Sequence, residues 1–174
     1  MRYSLFRLSL LICLVATLAG QTSDWPRYRN ADGNFSVLMP VDPKESVDGD
    51  GEMASHTIQA IADRVGYTVV YVKMPEDQTV DEANYKIYKE NVIKGLPTCT
   101  VVTEQPAAPA VQGYVGRWYR MNCEISNAKL TFVGNLYWGK RHAYSVMGMF
   151  ATGPYDPPSV KKFVDSFSVI DSSQ

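Results

Sequence analysis

Few residues in this chain have the types and spacing that chemistry requires. There are two histidines, three cysteines and scattered carboxylates. His56 and His142 each lack a second His or Cys two to four positions away, whereas zinc needs three or four ligands. Both read as strand or surface histidines. Asp48, Asp50 and Glu52 alternate with Gly49 and Gly51. A calcium loop would need a third ligand, then Gly, then a distal bidentate Glu. Met53 follows Glu52 instead, so the segment reads as a solvated turn. No Gly-x-Ser-x-Gly pentapeptide marks a serine nucleophile. Ser166 is expected to bond local backbone. Gly33, Gly49 and Gly51 are isolated turn glycines and not a phosphate-binding loop. Glycoside hydrolysis needs two carboxylates close in space. Glu104 and Glu124 flank two strand candidates, and solvation at strand edges accounts for them. The expectation is a non-enzyme with no cofactor, no metal site and no catalytic residue.

The remaining reactive residues are Cys99 and Cys123. Both lie in β-like runs, TCTVVTE and RWYRMNC. If those runs are neighbouring antiparallel strands, the thiols face each other and pair in an oxidising compartment. The closed loop then stabilises the fold by about 3–4 kcal/mol in the chain-entropy model. Two buried free thiols are the alternative.

The compartment is suggested by residues 1–20, MRYSLFRLSLLICLVATLAG. Arg2 and Arg7 precede an apolar run closed by Ala19 and Gly20, the layout of a secretory signal peptide. The run is shorter than the roughly 20 residues of a spanning helix. An uncleaved anchor and a lipoprotein are the competing readings. Cys13 lies inside the apolar run, a poor position for lipidation. A single domain over residues 21–174, secreted or periplasmic, is expected, with no membrane insertion after cleavage. Across the 174 residues, 17 Lys and Arg balance 18 Asp and Glu, a formal charge of −1. A nucleic-acid binder needs an excess of cations to displace phosphate counterions, so that class is disfavoured.

Alternation predicts strands at Phe35 to Met39, His56 to Ala62 and Gly66 to Lys73. In the last, Tyr67, Val69 and Tyr71 share one face, and Thr68, Val70 and Val72 the other. A helix is predicted over residues 79–95, with Thr79 and Glu82 as capping box and Glu82–Lys86 as an ion pair. Its apolar side is Val80, Ala83, Ile87, Tyr88 and Val92. Gly95 and Pro97 end it. Strands follow at Cys99 to Glu104, Tyr114 to Cys123, Leu130 to Trp138 and His142 to Phe150. A two-residue turn with Gly139 first joins the last two. A second helix opens with Asp156 as N-cap and proline at its first position. Val160, Phe163, Val164 and Phe167 form its apolar face, and residues 168–170 add a short strand. About seven strands and two helices in this order make an α+β protein with an antiparallel sheet.

Tyr114, Trp118, Tyr119, Tyr137, Trp138 and Tyr144 crowd the second half of the sheet. Burial of one face and a helix over the other accounts for most of them. If one face stays open, Tyr114 and Trp118 with Arg117 and Arg120 make a docking patch for a protein partner.

The opening Gly-Asn-Phe-Ser-Val-Leu-Met-Pro-Val-Asp-Pro, residues 33–43, and the closing Phe-Val-Asp-Ser-Phe-Ser-Val-Ile, residues 163–170, resemble exported bacterial proteins of unassigned function with the PsbP-like fold. That fold is shared by the extrinsic PsbP subunit of photosystem II and a Ran-binding import factor. The resemblance implies an α/β/α sandwich and a non-enzymatic module that docks on other proteins. It carries no functional residue onto this chain. A small-ligand carrier, with a pocket between the first helix and the sheet, is the second reading. An enzyme with a dispersed site is the third.

Overall fold

The computed structural model describes residues 24–51, 53–75, 78–96 and 98–170. The predicted signal peptide, residues 1–20, lies outside them. Two tight turns set the register of the long strands. Asp63 and Arg64 have φ of 51° and 64°, and Ser126 and Asn127 have φ of 50° and 65°. Two successive left-handed residues make the turn twist that suits a two-residue hairpin. The first joins β4 (Ser55–Ala62) to β5 (Val65–Lys73), and the second joins β7 (Tyr114–Ile125) to β8 (Ala128–Gly139).

With β3 (Lys44–Asp48), β6 (Cys99–Pro106) and β9 (His142–Ala151), these strands form a seven-stranded sheet in the order β3-β4-β5-β9-β8-β7-β6. Every pairing in it is antiparallel. A second sheet pairs β1 (Arg27–Asn30), β2 (Phe35–Leu38) and β10 (Ser168–Val169). The fold is α+β, with helices on the two faces of the large sheet.

Among the described residues there are ten strands, where about seven were expected. β1 was read as an irregular lead-in and β3 fell between Pro43 and the glycine turn. β3 is exposed throughout. Its charged residues keep an edge strand from recruiting another chain, and they also erase the alternation that would reveal it.

Helix α2 (Pro158–Asp165) covers one face. Val160, Phe163, Val164 and the following Phe167 are all at most 2% exposed. Each such side chain contributes about 1.5–3 kcal/mol on burial. A close approach makes this possible: a Cβ on Gly148 would sit 2.6 Å from Val160 Cγ1. Asp156 is not the N-cap. Pro157 holds that position without a side-chain bond, because the Asp156 carboxylate pairs with Arg120.

Helix α1 (Glu82–Lys94) lies on the other face. Its N-cap is Asp81, whose Oδ1 accepts from Asn84 N–H at 2.8 Å. Thr79 was the expected cap. Asp is the stronger cap residue, and the Thr79 carbonyl instead accepts from Trp138 Nε1 at 3.0 Å. Glu82 pairs with Arg117 on β7 and not with Lys86. The inward stripe is Tyr85, Tyr88 and Val92, while Ala83 and Ile87 are exposed.

The β8–β9 turn falls at Lys140 and Arg141, one residue later than expected. Gly139 stays in the strand opposite Tyr114, whose ring occupies the space a Cβ would need, 2.1 Å away.

Candidate functional site

The site follows from the uneven cover of the large sheet. β5 presents Tyr67, Val69 and Tyr71 to the face under α2, where each is at most 2% exposed. Thr68, Val70 and Val72 point to the opposite face and are only half-buried. On that face α1 packs over β7, β8 and the end of β9, and leaves the β4–β5 half open.

A cleft of about 490 Å³ runs between α1 and this open half. Val70 and Val72 floor it, Tyr88, Val92 and Leu96 wall it from the helix side, and Phe132, Met147 and Met149 close the sheet side. A second hollow of about 350 Å³ shares Val72, Tyr88, Asn91 and Val92 and extends toward Met53, Met74 and Ile87. None of the described residues lining either hollow is charged. The polar groups are neutral: Ser55, Gln59, Thr68, Ser145 and Asn91. Exposed apolar side chains continue the surface. Met53 and Ile87 are 54% and 59% exposed. Ile61 is also exposed, two residues beyond Gln59 on the same face of β4.

Polar links, one of them buried, hold α1 against the sheet. Tyr85 and Tyr119 hydroxyls lie 2.9 Å apart, and Tyr119 donates to Glu104 Oε1 at 2.8 Å. Lys89 reaches the same carboxylate at 3.4 Å. The Arg117 guanidinium sits 5.8 Å from the Tyr85 ring centre while bonding Glu82. Burial, chiefly, raises both the Tyr85 and the Tyr119 phenol far above the ordinary tyrosine range. Both therefore stay protonated as donors.

The four residues of the predicted docking patch do not share one face. Strand alternation puts Tyr114, Trp118 and Arg120 on the α2 side and Arg117 on the α1 side. Tyr114 lies against Tyr144 with centroids 5.7 Å apart. Trp118 lines a separate hollow of about 540 Å³ beside Pro157 and Val164. Arg120 is engaged by Asp156. Cys99 and Cys123 stand directly opposite in the β6–β7 ladder and are bonded.

The other candidates are placed as follows. Ser166 Oγ donates to the Phe163 carbonyl at 2.7 Å and accepts from Leu38 N–H at 2.9 Å, a backbone role. Gly49 and Gly51 have φ of +86° and +76°, as turn residues do. His56 stacks on Tyr71 at 4.6 Å between centroids. His142 faces the Asp32 carbonyl. Glu124 contributes its backbone carbonyl to Thr98.

The carrier reading placed a pocket where the cleft lies, between the first helix and the sheet. Sequence reasoning did not name its residues. The signal available was the β5 face of Thr68, Val70 and Val72, with Met147 and Met149 two apart on β9 on the same face as Ser145.

No protein-family model matches the chain, and no curated protein does. A solved structure similar to it is a Pseudomonas aeruginosa protein of unknown function, PA94. The two share 14% identity over 78% of this chain and 88% of that one, with a TM-score of 0.42. That superposition is too loose to bear on function.

Proposed function

We propose that this chain is an exported, non-enzymatic binding module of PsbP-like kind. It docks on another macromolecule through the open half of its seven-stranded sheet, alongside α1. The order strands, helix, strands, helix supports the kinship, and the Cys99–Cys123 bond supports an oxidising compartment. No helix among the described residues is long and apolar enough to cross a membrane.

The observation that carries the reading is an uncharged apolar cleft open along one side of α1, continued by exposed Ile61, Ile87 and Met53. Continuous apolar surface of this kind marks a binding site, because leaving it wet costs free energy that a partner recovers. An open cleft continued by exposed apolar side chains fits a segment of a polypeptide better than it fits an enclosed small molecule. The carrier reading keeps one observation in its favour. The volume of about 490 Å³ falls within the range of small-ligand pockets.

The test is a photo-crosslinking residue placed at Thr68 on the cleft floor and, separately, at Asp63 on the hairpin tip, in the chain expressed in its own cells. Docking predicts a polypeptide adduct at Thr68 that is absent at Asp63. No adduct, together with tight binding of a fluorescent naphthylamine probe, moves the assignment to a carrier. Neither adduct nor probe binding defeats both.

A further inference from the structure

The buried imidazole of the fold lies on the face away from the cleft. His142 is 8% exposed at the start of β9, and its Nε2 is 3.2 Å from the Asp32 carbonyl oxygen. A carbonyl only accepts, so Nε2 carries the proton and Nδ1 offers a lone pair. That Nδ1 is buried with no hydrogen-bond partner. The ring lies against Tyr144, centroids 5.7 Å apart, and edge-on to Tyr71 at 6.2 Å. His56 stacks on the same Tyr71.

The charged groups around the ring oppose a proton on it. Lys73 is its ladder partner on β5 and Arg141 precedes it in the turn. Burial first, then these two cations, hold the imidazole below its usual range, against the pull of the Asp32 carbonyl. Asp32 and Glu45 raise the neighbouring Tyr71 phenol, after burial.

What the ring touches is the turn at residues 31–34, which joins β1 to β2. Tyr144 donates to the Gly33 carbonyl at 2.8 Å, and Gly33 N–H donates to Asn30 Oδ1 at 2.6 Å. Ile170 N–H donates to the Asn34 carbonyl at 2.9 Å. The turn therefore closes over Phe35, Tyr71 and Tyr144.

We infer that His142 is an acid-sensitive latch: neutral, it fastens the 31–34 turn to the sheet through Nε2–H, and a proton taken up at Nδ1 releases that turn. A second N–H at Nδ1 finds no acceptor, and the new charge faces Lys73 and Arg141. The ring reaches water by giving up Asp32, and the turn opens with it. One proton per opening raises the opening equilibrium about tenfold per pH unit below the free imidazole range near 6.5.

The experiment is amide hydrogen exchange by NMR on the folded chain between pH 7.5 and 4.5, with protection corrected for intrinsic exchange rates. The His142 ring is titrated in parallel. The latch predicts that protection at Gly33 and Ile170 falls about tenfold per unit below pH 6.5 while Val133 and Val146 hold. In His142→Gln, which cannot titrate, Gly33 protection should stay flat, and His56→Gln should behave as the parent. Unchanged parental protection down to pH 4.5, or the same fall in His142→Gln, overturns the latch. If His142→Gln does not fold, the parent decides alone. Ring titration that follows, at lower pH, the onset of Gly33 deprotection supports the latch, and titration without any loss of protection overturns it.

Discussion

The hydroxyls of Tyr85 and Tyr119 are 2.9 Å apart in the interior, so a buried hydrogen bond joins helix α1 to strand β7 across the layer boundary, beside the Glu82–Arg117 pair. Since Tyr119 donates onward to Glu104 at 2.8 Å, Tyr85 donates to Tyr119. The chain of three groups, ending in a carboxylate that Lys89 also reaches, sets how far α1 stands from the sheet.

Tyr119→Phe leaves the Tyr85 hydroxyl and one Glu104 oxygen without their partner. The expected cost is about 1–3 kcal/mol, from stranding the buried Tyr85 hydroxyl, since Glu104 is exposed. Tyr85→Phe removes only the terminal donor and should cost about 1 kcal/mol. The double variant should cost less than the sum, because both changes break the same link. Urea unfolding of the three variants measures all of this. Strict additivity would show that the chain of hydroxyls does not act as a unit.

Gly148 and Val160 give a second coupled pair, on the opposite face. A Cβ at position 148 meets both Val160 methyls, at 2.6 and 2.7 Å. Val160 is β-branched in a helix and has essentially one rotamer, so it cannot swing aside. Gly148→Ala should destabilise by about 1–3 kcal/mol through overpacking. Adding Val160→Ala should recover part of that loss, although Val160→Ala alone is destabilising. Thermal unfolding of the four proteins completes the cycle.

The Cys99–Cys123 bond spans 24 residues and ties edge strand β6 to β7. Replacing both with Ser should lower stability by about 3–4 kcal/mol in the chain-entropy model. β6 is otherwise exposed over most of its length, so its amides should lose protection before those of β5 and β9. A uniform loss across the sheet would mean that the bond acts on the whole domain and not on its edge.

What could be read from the residues depended on how much of each element is buried. The α2 stripe at Val160, Phe163, Val164 and Phe167 was legible because one face is fully buried and the other fully wet. The alternation of β5 was legible because Tyr67, Val69 and Tyr71 are fully buried while Thr68, Val70 and Val72 are only half-buried, and the Cys99–Cys123 pairing depended on the two strands being neighbours, as they are. β3 was not, since a solvent-washed edge has no period to detect. The caps shifted because distant partners claimed the local candidates: Arg120 took Asp156, and Trp138 took the Thr79 carbonyl. The α1 stripe was legible at Val80, Tyr88 and Val92, but Ala83 and Ile87 are exposed and the deepest residue is Tyr85, whose polar tip is held by Tyr119. The cleft was invisible residue by residue. It exists because α1 covers only part of a face, and partial cover is a tertiary fact.

Alkaline pH should unfold the protein in one step. Burial, with a hydrogen bond to Glu45, raises the Tyr28 phenol to about 12. Tyr67, Tyr71, Tyr114, Tyr137 and Tyr144 are raised as well, in each case chiefly by burial. The unfolded chain releases these protons near pH 10 while the folded chain keeps them. Stability is therefore complete below pH 10 and declines as pH climbs toward 12. Tyrosinate absorbance should rise together with loss of tertiary circular dichroism. A rise near pH 10 large enough to account for these six phenols, with the fold intact, would contradict the burial of these rings.

Val69 and Val70 are chain neighbours with opposite fates, and they separate folding from binding. Val69 is 0% exposed under α2, whereas Val70 is half-buried on the cleft floor. A carboxylate at position 69 has no route to water and no partner. Val69→Asp should cost more than about 4 kcal/mol and abolish the fold. A carboxylate at position 70 points into an open cleft and stays hydrated, so Val70→Asp should fold with a small loss of stability. It should nevertheless weaken an apolar ligand by at least about tenfold, because it places a charge where no described lining residue carries one. Titration with a fluorescent naphthylamine probe, read against circular dichroism of both variants, checks the pair. Equal probe affinity in Val70→Asp and the parent would move the apolar binding surface away from α1.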